Sequence, residues 1–129
     1  MKTIIISVFI SVVLVGGAII FSQKSGEVTK VLPENNVSIV GGKQIVSITA
    51  KGGYLPNVSK AKADIPTTLR IATNATFDCS STLTIPSMNY QKNLPPSGVT
   101  EIELPPQKAG STFEGLCGMG MYSFEIMFE

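Results

Sequence analysis

The sequence predicts an all-β domain, a sandwich or small barrel, behind one long apolar segment. Three observations carry the prediction. From residue 43 onward, short apolar–polar alternating runs are separated by Gly, Pro, Asn and Ser, which is the period-two signature of strands and turns. No stretch of that region carries a helical period, and no internal repeat is present. Seven such runs fall in under ninety residues, a density typical of sandwiches and small barrels.

The apolar segment comes first. Residues 4–21, IIISVFISVVLVGGAIIF, are eighteen uncharged residues. As a helix they would span about 27 Å, close to the hydrocarbon thickness of a bilayer. A cleaved signal peptide is the competing reading. However, Gly16-Gly17-Ala18 is followed by Ile19 to Phe21 rather than by a polar mature end. The expectation is a single-pass transmembrane helix within an anchor over residues 1–22. Lys2 precedes the span, while Lys24 and Lys30 follow it, and this bias favours a cytoplasmic C-terminal side. Residues 23–42 are mostly polar, with Pro33, Asn35-Asn36 and Gly41-Gly42 as punctuation, and read as a flexible tether. The folded domain is expected over 43–129.

Within the domain, Gln44 to Ala50 alternates cleanly and is the first expected strand. Val58 to Ile65 is the second, closed by Pro66. Thr67 to Thr73 is the third, with Leu69 and Ile71 directed inward. Ser81 to Ile85 follows, then a loop at Pro95-Pro96, then Val99 to Leu104. Ser111 to Leu116 and Tyr122 to Phe128 form the last pair.

Composition removes several classes of function. Ten basic and nine acidic residues give a net charge of +1, and no basic patch of the kind that binds nucleic acid is present. There is no histidine. That excludes Ser-His-Asp and Cys-His catalysis, imidazole zinc sites and the two-histidine blue-copper site. The commonest general base is missing, so an enzyme is not expected. Two cysteines, Cys79 and Cys117, are too few for a disulfide framework. They would be one disulfide in an oxidising compartment or two thiols in a reducing one.

The loop between the last two strands carries the chemistry. Cys117-Gly118-Met119-Gly120-Met121 places one thiol and two thioethers at i, i+2 and i+4. Soft sulfur donors select Cu(I) over harder divalent ions. An extended backbone would put all three sulfurs on one face, while the two glycines would equally let the loop curl. The competing reading is a small buried cysteine with gap-filling methionines, but glycine beside every sulfur is poor core filling. Cys79 lies in a second loop, Asn74 to Ser80, and the two loops could meet at one pole of a sandwich. Met88 and Met127 read as packing residues.

Together these residues resemble a cupredoxin, and more narrowly the cupredoxin-like domains of membrane-anchored Cu(I) chaperones. The matching stretches are Gly52 to Asn57, Ile65 to Ile71, Asp78 to Pro86, Lys92 to Pro96 and the specific Phe113 to Met121. The resemblance covers residues 43–129 and extends to the N-terminal anchor. It implies a Greek-key cupredoxin fold in which Cys79 stands where ordinary cupredoxins carry a histidine. It implies that Met119 and Met121 take the late-loop ligand role. It further implies a binuclear Cu(I) site sharing the Cys79 and Cys117 thiolates, with the methionines completing it. A monomeric domain facing the cytoplasm and serving a copper-efflux P-type ATPase is the expected context. The alternative is a membrane-anchored extracytoplasmic domain with a Cys79–Cys117 disulfide and a structural or interaction role.

Overall fold

The computed structural model describes residues 35–129. The transmembrane expectation for residues 4–21 lies outside the described residues, as does most of the expected tether. Among the described residues no helix is long and apolar enough to cross a membrane.

Ten strands follow in order: β1 (Val37–Val40), β2 (Lys43–Ala50), β3 (Tyr54–Leu55), β4 (Val58–Ala61), β5 (Thr67–Thr73), β6 (Thr82–Ile85), β7 (Tyr90–Asn93), β8 (Gly98–Leu104), β9 (Thr112–Cys117) and β10 (Ser123–Phe128). Two 3-10 turns, Cys79–Ser81 and Pro86–Met88, flank β6. The strands form two five-stranded sheets. One runs β1-β2-β5-β8, with β3 paired to β2 beyond the end of β1; the other runs β4-β10-β9-β6-β7. Each sheet mixes one parallel pair, β2 with β5 or β4 with β10, among antiparallel neighbours.

Alternation builds the core. Val46, Ile48 and Ala50 of β2 face inward with Leu69 and Ile71 of β5. From the opposing sheet come Leu83, Ile85, Phe113, Phe124, Ile126 and Phe128. Each fully buried Leu, Ile or Phe side chain contributes about 1.5–3 kcal/mol. Surface ion pairs such as Lys43 Nζ–Glu103 Oε1 at 2.8 Å and Lys60 Nζ–Glu129 Oε1 at 3.0 Å are exposed and contribute little by comparison. The core therefore decides stability.

One buried polar side chain locks the lower end. Gln44 is fully buried. Its Oε1 accepts from the Lys62 N–H at 2.8 Å, and its Nε2 donates to Lys62 O at 3.1 Å and Thr67 Oγ1 at 3.0 Å. Both amide hydrogens and the amide oxygen thus have partners in place of water.

Several boundaries differ from the sequence expectation. Val37–Val40, inside the stretch read as tether, is a strand paired antiparallel with Lys43–Val46. Gly41 and Gly42 make its two-residue turn, with φ of 59° and 77°, the backbone that a tight hairpin requires. The run from Val58 stops at Ala61, because the chain turns through Asp64 at φ 58°. The short strands β3 and β7 went unread. Met127 is not a packing residue: it lies on the outer face of β10, with Phe124, Ile126 and Phe128 inside. Met88 does pack against the core.

Gly115 pairs with Phe124 across β9 and β10, and a side chain at Gly115 would collide with the Phe124 ring. That ring meets Tyr54 edge-on, with centroids 5.1 Å apart and planes at 70°, a favoured aromatic geometry.

Tyr54 is buried. Burial, and secondarily the Asp78 charge, push its phenol from 10.0 up to about 12. The folded state therefore holds this proton more tightly than the unfolded chain does. Its contribution is fully present below pH 10 and is lost as pH rises through about 12. Denaturant melts of wild type and Tyr54→Phe over pH 9–12 should show a steeper alkaline loss in the wild type. Parallel profiles would refute this account of Tyr54.

Candidate metal centre

Three connections meet at one pole: Lys51–Gly53, the 74–81 segment and the 118–122 turn. Each is tied down by a specific bond. Thr76, buried after the end of β5, donates its hydroxyl to Ala50 O at 2.6 Å and its N–H to Pro96 O at 2.9 Å. Asp78 then caps the 3-10 turn that carries Cys79. Its Oδ1 accepts from the Ser80 N–H at 2.8 Å and from the Ser80 hydroxyl, and its Oδ2 accepts from the Gly52 N–H at 2.8 Å. The Ser80 hydroxyl, then the Gly52 and Ser80 amides, hold the Asp78 carboxyl below its ordinary range. Behind the turn, the Tyr54 hydroxyl donates to Ser80 O at 3.4 Å.

Cys117 arrives from the other side. It ends β9, opposite Leu83 of β6, and alternation turns it inward, where it is 2% exposed. Cys79 is half-buried. The two form a disulfide whose Cα atoms lie 5.6 Å apart. The Tyr122 N–H donates to Cys117 Sγ at 3.3 Å, the Cys117 N–H to Tyr122 O at 2.9 Å and the Gly120 N–H to Cys117 O at 2.8 Å. The sulfur thus sits at the base of a closed turn.

Of the two backbones that the glycines permit over 117–121, the curled one is observed. The strand ends at Cys117 and the chain reverses through Gly118 to Met121. Both glycines are needed for this. A Cβ on Gly118 would press within 3.0 Å of Thr82 Cγ2, and Gly120 has φ 71°. Met119 and Met121 therefore do not share a strand face with Cys117. They stand on the turn, 79% and 67% exposed. Phe77, two residues before Cys79, is 79% exposed as well.

Cys79 and Cys117 are brought together, and Met119 and Met121 follow on the adjoining turn. In the dithiol form this donor set would be all sulfur, two thiolates and two thioethers, a set that suits Cu(I). Among the described residues no group of three or more His, Cys, Asp or Glu side chains could hold a metal ion. Sequence reasoning passed over Asp78, Ser80, Thr76 and Tyr122. Asp78-Cys79-Ser80 does carry a signal, since Asp is a favoured N-terminal cap whose carboxylate takes the amide two residues on.

Comparison with known proteins follows the same lines. The cupredoxin-like domain family matches residues 12–126. The metal-binding domain of the Streptococcus pneumoniae Cu(I)-exporting P-type ATPase, solved with Cu(I), superposes with a TM-score of 0.64 at 22% identity, covering 72% of this chain and 92% of that one. A copper binding protein solved in solution in its apo form gives 0.65 at 24%, covering 72% and 94%. No curated protein sequence matches. With the family matched over most of its length and the sandwich shared with these domains, the chain belongs to the cupredoxin-like domain family.

Proposed function

We propose that this chain is a membrane-tethered Cu(I) chaperone or sequestering protein for copper resistance. The observation that carries the reading is the convergence of Cys79 and Cys117 at one pole, with Met119 and Met121 on the turn that follows. The fold shared with a domain of a Cu(I)-exporting P-type ATPase supports a copper-transport context. It also supports such an ATPase as the acceptor.

As a dithiolate, Cys79 and Cys117 would offer two anionic soft donors in a largely buried place, where a cation is held tightly. Met119 and Met121 bring no charge and stand in solvent, so copper on them is held weakly and exchanges readily. Four sulfurs exceed what one low-coordinate Cu(I) needs, which favours two ions. The domain then acts by binding and release, not by catalysis. A cytoplasmic placement would keep the thiols reduced. The apolar 4–21 stretch would provide the tether.

A second reading is favoured by the disulfide itself. In an oxidising compartment the Cys79–Cys117 link would be structural and the domain a membrane-anchored interaction module. Counting free thiols on the purified chain, with and without reductant, separates the two.

Cys79→Ser and Cys117→Ser should each weaken tight Cu(I) binding by more than about 100-fold, beyond the ~10–100-fold typical of losing an outer-shell partner. Anaerobic competition against a Cu(I) chelator measures this, and full affinity in either variant would sink the thiolate site. Changing Met119 and Met121 together to Ile should remove one weakly held ion and slow transfer to an acceptor while leaving the tight site unchanged. Unaltered stoichiometry and transfer would reduce both methionines to shielding. Impermeant thiol reagents should leave both cysteines unlabelled on intact, copper-starved cells; labelling would place the domain outside.

A further inference from the structure

We propose that the cysteine pair is also a two-electron donor, converting two Cu(II) ions to Cu(I) as it closes to the disulfide, and that Met119 and Met121 receive the product. The proposal rests on the reading that this pole takes up copper.

The backbone is already set for the disulfide. Cys79 sits on a capped 3-10 turn and Cys117 on a strand end, with Cα atoms 5.6 Å apart. That separation lies inside the range a disulfide needs. Closing the pair therefore needs no backbone placement beyond the one both elements already have. The two sulfurs are also unequal. Cys79 is half-buried and can be reached from solvent, whereas Cys117 is 2% exposed, under the Tyr122 amide. An incoming metal ion meets Cys79 first, and Cys117 completes the sulfur–sulfur bond.

The balance closes without a further reagent. Two thiols release two protons to solvent and two electrons in all; one S–S bond forms, and each of two cupric ions gains one electron. Two features drive the reaction toward Cu(I). The chain has no histidine, so the imidazole donors that suit Cu(II) are missing. The thioethers of Met119 and Met121 are soft, exposed and unable to enter a disulfide. They remain available as donors once the thiolates are consumed. The cycle is stoichiometric, and an external thiol reductant resets the pair by exchange.

The test uses the full chain, reduced, freed of reductant and kept anaerobic. Two equivalents of cupric sulfate are added. Cu(I) is counted with a Cu(I)-specific chromogenic chelator, thiols by colorimetric assay, and disulfide state by intact mass without reductant. The expected result is two Cu(I) formed and two thiols lost per chain, at a mass two hydrogens lower and with no covalent dimer. In anaerobic equilibrium dialysis without chelator, Cu(I) should be enriched on the protein side, as weak and exchangeable binding requires. In a variant carrying both Met119→Ile and Met121→Ile, that enrichment should be lost, and fewer than two Cu(I) should form when no chelator is present. Cys79→Ser should lose the reaction, with the buried Cys117 kept as a free thiol and the copper left as Cu(II). Unreduced Cu(II) with intact thiols, or thiol loss through covalent dimers in the wild type, would overturn the proposal. Wild-type Cu(I) that distributes equally across the dialysis membrane would overturn the handover. A parallel Cu(I) titration of the reduced chain keeps the two ideas apart. Tight Cu(I) binding without Cu(II) reduction refutes this inference alone, whereas absence of Cu(I) binding refutes the chaperone reading beneath it.

Discussion

The seat of Phe124 over Gly115 is the contact on which the sulfur pole depends. Only a residue without a side chain can face that ring across the β9–β10 ladder. With the ring seated, Phe124 meets Tyr54 edge-on, and the Tyr54 hydroxyl reaches Ser80 O beside Cys79. A line of contacts thus runs from the hairpin that delivers Cys117 to the turn that delivers Cys79. Glycine inside a strand ordinarily weakens it; here the aromatic ring occupies the space that a side chain would have filled.

Around that contact the two cysteines are placed by different means. Cys117 is set by register: its pairing with Leu83 and the strand's alternation turn it inward. Cys79 is set by hydrogen bonds, through the Asp78 cap and its reach to the Gly52 amide. One anchor is a ladder and the other a carboxylate, and the disulfide joins the two. The methionines are fixed by neither. They ride on a turn closed only by the bonds around Cys117, and their exposure follows from that.

The sheet architecture was legible because the strands alternate. Gln44–Ala50 and Thr67–Thr73 were read nearly to the residue, since in both the apolar inward residues alternate with more polar ones. The edge strands were not legible. Val37–Val40 and Tyr90–Asn93 expose most of their residues, so burial leaves no periodic mark on them. The Gly41-Gly42 pair was the available clue, and it signals a hairpin more strongly than a linker. At the site, the meeting of Cys79 and Cys117 followed from loops at strand ends. The reversal at Gly118 did not, because Gly-x-Gly permits extended and turning backbones alike. The hydrogen-bonded turn and the approach of Thr82 choose between them, and both are tertiary.

The Cys79–Cys117 link joins positions 38 apart. In the chain-entropy account, closing a loop of that length removes about 4 kcal/mol of freedom from the unfolded chain, a large share of the ~5–15 kcal/mol that holds a typical domain folded. Reduction surrenders that constraint, and any atom shared between the same two sulfurs would reimpose it. A bridging metal would then act as a removable staple as well as cargo. Emptying the site would release the staple, making the metal-free dithiol the form that opens most often and meets proteases soonest.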